Sequence, residues 1–366
     1  MNAEEFPAGI TMADLPTPAL VIDLGRLHHN IHRMAEFASG AGVALRPHWK
    51  TSKSLHIASL QAAAGAVGFT CATGREARVL VSAGYDVFWA YPPVGDARVE
   101  AVIDLTRRGR LMVGLDSVES ARTLSRAAVD AGVQVTVRLD IDTGLGRTGA
   151  APAEAPAVLE QIAELDGLHV DGIFTHEGQL AAHGVDRVAR RAAGRAVGEL
   201  MAAVAESART RGVVLATVSV GSTPGADSAP TIDGITEMRP GTYVFGDDNQ
   251  RFTGAVDDDE CALTVHSTVV SVQRGETVIV DAGIKAMSSD GSARKDGRIG
   301  TRLDGPGILV TGHEEHGFLC GAEDVRLGDR IVVLPNHACG TVNMFSSAWV
   351  VRDGRVVDQW PIEARR

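Results

Sequence analysis

Residues 111–140 read LMVGLDSVESARTLSRAAVDAGVQVTVRLD, and this stretch decides the fold. Leu111–Gly114 is a short β-rich run. Asp116 and Ser117 then supply a helix cap, and Ser117–Ala131 carries a helical pattern. Gln134–Leu139 returns to strand character. Strand, helix and strand within about thirty residues make one β-α-β unit, which places its two strands parallel.

The same alternation extends in both directions, from Val43 to Arg239. Strands are expected at Val43–Arg46, Ala66–Cys71, Asp86–Tyr91, Leu111–Gly114, Gln134–Leu139, Leu168–Phe174, Ala216–Val220 and Ile235–Arg239. Helical patterns fill the gaps, the longest at Arg187–Arg211, and Leu27–Ser39 precedes the first strand. Eight such strands point to an α/β fold, a (β/α)8 TIM-type barrel. A doubly wound open sheet would also alternate, but no G-x-G-x-x-G turn follows the first strand.

Beyond Gly246 the texture changes. Asp257–Glu260 reads as a connection, and β-type runs follow at Thr264–Val272, Thr277–Asp281, Gly307–Val310, Arg330–Leu334 and Ser347–Val351, with Arg352–Gly354 as a hairpin turn. No amphipathic helix is expected among them. The chain therefore divides into a barrel over 25–250 and a C-terminal all-β domain over 251–366, joined by 1–24, whose run Ala19–Leu24 is assigned to β pairing.

Composition narrows the function. With 45% apolar residues the chain can bury a large core, and its net charge of −11 argues against a nucleic-acid or anionic-membrane partner. Aromatics make up only 4%, too few for base-stacking platforms. No run is long enough to span a bilayer. Met1–Asp14 is acidic without a signal pattern, so a cytoplasmic protein is expected. Cys71, Cys261, Cys320 and Cys339 contain no C-x-x-C pair, which disfavours a disulfide framework or a closed zinc knuckle. An enzyme fits best.

Barrel active sites form at the C-terminal strand ends. Lys50, in Arg46-Pro47-His48-Trp49-Lys50-Thr51, sits at such an end; it is either a solvated surface lysine or, if shielded, a Schiff-base lysine. Asp140–Gly149 is glycine-rich, and its Arg147 could hold an anionic oxygen. His176 in Thr175-His176-Glu177-Gly178 is a structural histidine or a catalyst. Ser222 and Thr223, in Ser219–Gly225, and Gly241, Thr242 and Tyr243 after Arg239 form two small-residue loops. They are ordinary tight turns or, following strands seven and eight, a phosphate cradle. In Pro335–Asn343, an extended segment would place His337 and Cys339 on one side, where they could grip a metal with open positions. That donor pair suits zinc over manganese or magnesium. A buried cysteine beside a structural histidine is the plainer reading.

Taken together and in order, Leu15-Pro16-Thr17-Pro18, Arg46–Thr51, Gly221-Ser222-Thr223-Pro224, Arg239–Phe245 and Pro335-x-His337-x-Cys339 resemble the D-serine dehydratases. The wider group contains D-threonine aldolases and 3-hydroxyaspartate lyases, and shares the alanine-racemase barrel of fold-type III pyridoxal phosphate (PLP) enzymes. The resemblance spans Leu15 to Asn343. It implies that Lys50 binds PLP covalently and that His176 packs on the ring. It places Arg147 near the phenolic oxygen or the substrate carboxylate, and Arg239 at the pyridine nitrogen. Ser222, Thr223, Gly241 and Thr242 would hold the phosphate with Tyr243 alongside, and His337 and Cys339 a catalytic divalent metal. A homodimer is implied as well.

The chain departs from the pattern at Thr51-Ser52-Lys53, where a histidine is common, at Gly340, where proline is frequent, and at Glu177–Leu180, which lacks an aromatic. Aldolases of the group commonly carry aspartate two residues after the histidine. Cys339 stands there instead, which leans the expectation toward dehydration of a 3-hydroxy D-amino acid, D-serine or D-threo-3-hydroxyaspartate, to a 2-oxo acid and ammonia. Retro-aldol cleavage of D-threonine or 3-hydroxyaspartate is the alternative, ahead of racemisation.

Overall fold

The computed structural model describes residues 10–365. The reading of the acidic N-terminus rests largely on residues 1–9, which lie outside the described residues. The chain forms two compact units. One comprises Arg33–Lys50 and Ile57–Gly241; the other takes the chain up to His32, Thr51–His56 and the chain from Thr242 onward.

The first unit is the expected barrel. After β1 (Ala19–Asp23) and α1 (Leu24–Gly40) come eight short parallel strands. They are β2 (Ala44–Leu45), β3 (Phe69–Cys71), β4 (Val87–Trp89), β5 (Leu111–Leu115), β6 (Val135–Asp140), β7 (Leu168–Phe174), β8 (Thr217–Val220) and β9 (Glu237–Met238). Neighbours follow chain order from β3 to β9, and β2 pairs with β9. Thr70 N–H donates to the Pro47 carbonyl and Trp49 N–H to the Thr70 carbonyl, each at 2.8 Å, so the segment after β2 closes the ring against β3.

Between the strands run α2 (Leu55–Ala63), α3 (Gly74–Ser82), α4 (Asp96–Arg108), α5 (Val118–Ala131), α6 (Ala155–Ala163) and α7 (Arg187–Thr210). Helix α5 begins where Ser117 Oγ accepts the Ser120 N–H at 3.3 Å. It stops at Gly132, whose φ of 64° is left-handed and costs glycine nothing. Its buried stripe is Ala121, Leu124, Ser125 and Ala128.

Branched apolar side chains usually fill such a barrel. Here part of the interior is ionic. Glu237 accepts from Arg46 Nε, Arg138 Nη1 and Ser219 Oγ, each at 2.7 Å. Burial pushes its carboxyl up, but Arg138 and Arg46 outweigh that and hold it below its ordinary value.

The second unit is built on β1 with β10 (Leu263–Arg274), β11 (Thr277–Val280), β12 (Gly300–Arg302), β13 (Ile308–Gly312), β14 (Gly317–Cys320), β15 (Arg330–Pro335), β16 (Ser347–Arg352) and β17 (Arg355–Pro361). The six strands from β10 to β15 pair in a closed cycle. Its core includes Val265, Leu309, Leu319, Ile331 and Val333. Strand β1 adds antiparallel to β10 and parallel to β16, as the assignment of Ala19–Leu24 to β pairing expects.

Two strands were not anticipated, β12 and β14, which are short and begin at glycine. The expected hairpin turn at Arg352–Gly354 leads into β17, which pairs antiparallel with β16. Helix α8 (Asp248–Phe252) precedes these strands, and the expectation that no helix falls among them is corrected by two short ones, α9 (Ile284–Met287) and α10 (Ala338–Met344). None of the four cysteines forms a disulfide among the described residues. Among the described residues no helix is long and apolar enough to cross a membrane.

Candidate active site

The barrel gathers one set of the expected residues at its strand ends. Lys50 follows the segment that closes β2 against β3, and Arg239 follows β9. Arg239 is fully buried, donating from Nε to Ser219 Oγ at 2.8 Å and from Nη2 to the Thr175 carbonyl. Its guanidinium carbon lies 5.5 Å from the Phe88 ring centroid and 5.2 Å from that of Phe174. Burial lowers its pKa to about 10, so it is a cation and a pure donor at neutral pH.

His176 places Nδ1 2.6 Å from the Gly221 carbonyl. A carbonyl only accepts, so Nδ1 carries the hydrogen and Nε2 is left as a bare acceptor. Burial, the Lys50 charge and the charges of Arg147 and Arg239 push this imidazole down to about 3. His48, part of the Arg46–Thr51 motif but given no role there, lies in the same field. Burial first, then the charges of Lys50, Arg239 and Arg147, hold it well below the ordinary histidine value. Lys50, Arg147, His176 and Arg239 are therefore within electrostatic reach of one another. Arg147 is exposed, on a loop braced by Asp142 Oδ1, which accepts Gly144 and Gly146 N–H at 3.0 Å each.

The turn after β8 is also buried. Ser222 Oγ accepts the Gly225 N–H at 3.0 Å, and Arg190 donates to the Pro224 carbonyl while pairing with Asp227. The amides of Ser222 and Gly241 make no hydrogen bond among the described residues. Unpaired N–H groups beside buried hydroxyls fit a bound anion such as a phosphate.

Thr242, Tyr243, His337 and Cys339 belong to the second unit. The expected extended H-x-C segment is corrected: His337 caps α10 and Cys339 lies in its first turn. The helix starts there because Ala338 N–H is held by Asp247 Oδ2 at 2.9 Å. The two side chains still meet, and His337 hydrogen-bonds Cys339. The Cys339 charge first, then the hydrogen bond that His337 donates to Asp290, raise His337 well above its ordinary value against the opposing effect of burial. His337 Nδ1 lies 3.1 Å from Asp290 Oδ2, and Thr51 Oγ1 lies 3.2 Å from Cys339 Sγ. Among the described residues no cluster of three or more His, Cys, Asp or Glu is arranged for a metal. Tyr243 is fully buried. Lys53, where a histidine is common, is also buried and donates from Nζ to the Ala364 carbonyl at 3.0 Å.

Comparison with known proteins places this arrangement. The alanine racemase N-terminal domain family matches residues 22–249, and the putative serine dehydratase domain matches 262–351. A D-threo-3-hydroxyaspartate dehydratase of Delftia sp. (strain HT23) is 36% identical, covering 96% of this chain and 98% of its own length. The chain belongs to the D-amino-acid lyases of the alanine-racemase fold.

A D-threonine aldolase of Arthrobacter sp. is 32% identical over 98% of this lyase and 94% of its own chain. In structure, the D-threo-3-hydroxyaspartate dehydratase from Delftia sp. HT23 superposes with a TM-score of 0.89 at 34% identity, covering 96% of this lyase and 98% of that chain. The D-threonine aldolase from Filomicrobium marinum gives 0.89 at 31%, covering 99% of both chains.

Several residues of this lyase were given no role from the sequence: His48 and Glu177, which lie within quoted motifs, and Asp247 and Asp290, which lie in none. Glu177 had a signal, an acid directly after His176 at a strand end. Asp247 and Asp290 had none, because each reaches its partner across a long stretch of chain.

Proposed function

We propose that this lyase uses PLP and a divalent metal, with zinc preferred over manganese or magnesium, to remove water from a 3-hydroxy D-amino acid. D-Serine and D-threo-3-hydroxyaspartate are the leading substrates, and the products are a 2-oxo acid and ammonia. The observation that carries the reading is the His337–Cys339 pair, touching and backed by Asp290. A metal-bound histidine ordinarily gives its other nitrogen to a carboxylate in this way. The likeness to the Delftia dehydratase supports it.

The barrel residues fit PLP. Lys50 would hold it covalently, Ser222, Thr223, Gly241 and Thr242 would take its phosphate with Tyr243 alongside, and Arg239 would face its ring nitrogen. When bound, PLP supplies an electron sink next to the substrate α-carbon. Once displaced by the substrate amine, Lys50 Nζ would be free to take the α-proton. Arg147 orients the substrate carboxylate, and His176, neutral with Nε2 bare, packs on the ring without adding positive charge. A divalent ion at His337 and Cys339 would supply Lewis acidity for a departing β-oxygen, since hydroxide alone leaves poorly. Arg239 is a donor only and cannot take a proton from the ring nitrogen. A homodimer in the cytoplasm completes the proposal.

The second reading is retro-aldol cleavage of D-threonine or 3-hydroxyaspartate, favoured by the full-length likeness to D-threonine aldolases. Incubating the metal-loaded holoenzyme with D-serine, D-threo-3-hydroxyaspartate and D-threonine separates the two. Ammonia with a 2-oxo acid is expected. Glycine with an aldehyde, and no ammonia above background, makes it an aldolase, and interconversion of enantiomers a racemase.

A further inference from the structure

Two consecutive side chains grip one residue, Gly221, through the peptide groups on either side of its α-carbon. His176 Nδ1 donates to the Gly221 carbonyl at 2.6 Å, and Glu177 Oε2 accepts the Gly221 N–H at 3.0 Å. Gly221 opens the turn that carries Ser222 and Thr223. It has little room to move, because a Cβ built on it would lie 2.9 Å from Arg239 Cβ. At the far end of the turn, Arg190 holds the Pro224 carbonyl.

Glu177 is unusual in this frame. It is 1% exposed, and its second oxygen, Oε1, has no hydrogen-bond partner. That oxygen faces Gly225, where an added Cβ would come within 2.8 Å of it. Burying a carboxyl with one oxygen unpartnered is costly, and an apolar side chain would serve packing alone better. What the acid does is claim the Gly221 amide, leaving the Ser222 amide as the first unpaired donor of the turn. Burial also pushes its carboxyl up to about 7, so it can stay protonated beside an anion without repelling it.

We infer that Glu177 is a positioning residue for the cofactor phosphate: it locks Gly221 so that Ser222 and Thr223 meet that group. The inference rests on the PLP reading above. His176 would then have two tasks, one on the ring and one, shared with Glu177, on the turn.

The test compares two ligands on the cofactor-depleted full chain: PLP and pyridoxal, which lacks the phosphate. Binding is followed by visible absorbance. Glu177→Ala should lose PLP affinity by about tenfold or more while its pyridoxal affinity changes by less than about twofold. Glu177→Gln keeps an acceptor for the Gly221 N–H and should bind PLP within about threefold of the unmodified protein. If Glu177→Ala does not fold, Glu177→Asp, too short to reach the amide, takes its place with the same expected selectivity. Equal losses for both ligands, or none for either, overturn the inference. If the unmodified protein binds neither ligand, the cofactor reading itself fails.

Discussion

The hydroxyl of Thr51 lies 3.2 Å from the sulfur of Cys339. Thr51 directly follows Lys50, so the expected cofactor lysine and a contact of the expected metal thiol share one short piece of chain. The thiolate is the form that binds metal, and a hydroxyl in this position can donate to it. Cys339→Ala should therefore be isolated with little bound zinc, and Asp290→Asn should weaken zinc binding by about 10–100-fold, as loss of such outer partners typically does. Metal analysis after dialysis reads both. Chelation of the unmodified protein should stop β-elimination while leaving its visible absorbance largely intact. Full activity in a metal-free preparation would sink the catalytic role of the pair.

Lys50→Ala should abolish the visible cofactor band. In the unmodified protein, borohydride reduction followed by peptide mapping should find the cofactor on Lys50. Label on Lys53 or Lys285 would overturn the assignment. Lys53 is unsuited by its tie to the Ala364 carbonyl, and Lys285 is taken up with Glu314 and Glu315.

The barrel interior gives a stability prediction. Glu237 is the shared partner of Arg46 and Arg138, and all three are buried. Glu237→Leu leaves two guanidiniums facing each other without it, although Asp86 and Asp171 still pair with their outer sides. Removing one member of a buried ionic group costs about 3–5 kcal/mol. Urea unfolding should show a loss of that order, and an unchanged midpoint would mean that the network is not a folding constraint.

How much of this could be read beforehand depended on distance along the chain. The β-α-β period is local, so the barrel was legible from residues such as Leu111–Gly114 and Ser117–Ala131. Lys50 and Arg239 were legible because strand ends carry barrel sites. The His337–Cys339 pair was legible as a pair but not as a shape. Its helix depends on Asp247, whose carboxylate holds the Ala338 amide from 91 residues away. The ionic interior left only a faint mark, a charge at Arg138 within the strand Val135–Asp140. Strands β12 and β14 escaped because a few residues starting at glycine give too little pattern, and their pairing with β13 supplies the rest.

His176 and Glu177 also make opposite demands on protons, and this yields the last prediction. Unfolded, the two titrate near 6.5 and 4.5; folded, the histidine falls to about 3 and the carboxyl rises to about 7, burial being the largest cause in each. Between pH 4.5 and 6.5 the unfolded chain thus holds one proton on the histidine and the folded chain holds one on the acid. Their contributions to the slope of stability against pH cancel there. Single substitutions break the balance. With Glu177→Gln the remaining histidine binds its proton only when unfolded, so stability relative to the unmodified protein rises with pH through this window. With His176→Gln the remaining acid binds its proton only when folded, so relative stability falls as pH rises and is fully lost above about 7. Each slope approaches at most about 1.4 kcal/mol per pH unit. Denaturant unfolding of the three proteins at several pH values between 4.5 and 6.5 measures this. Relative slopes of the same sign in both variants would show that the neutral imidazole and the protonated carboxyl are wrongly assigned.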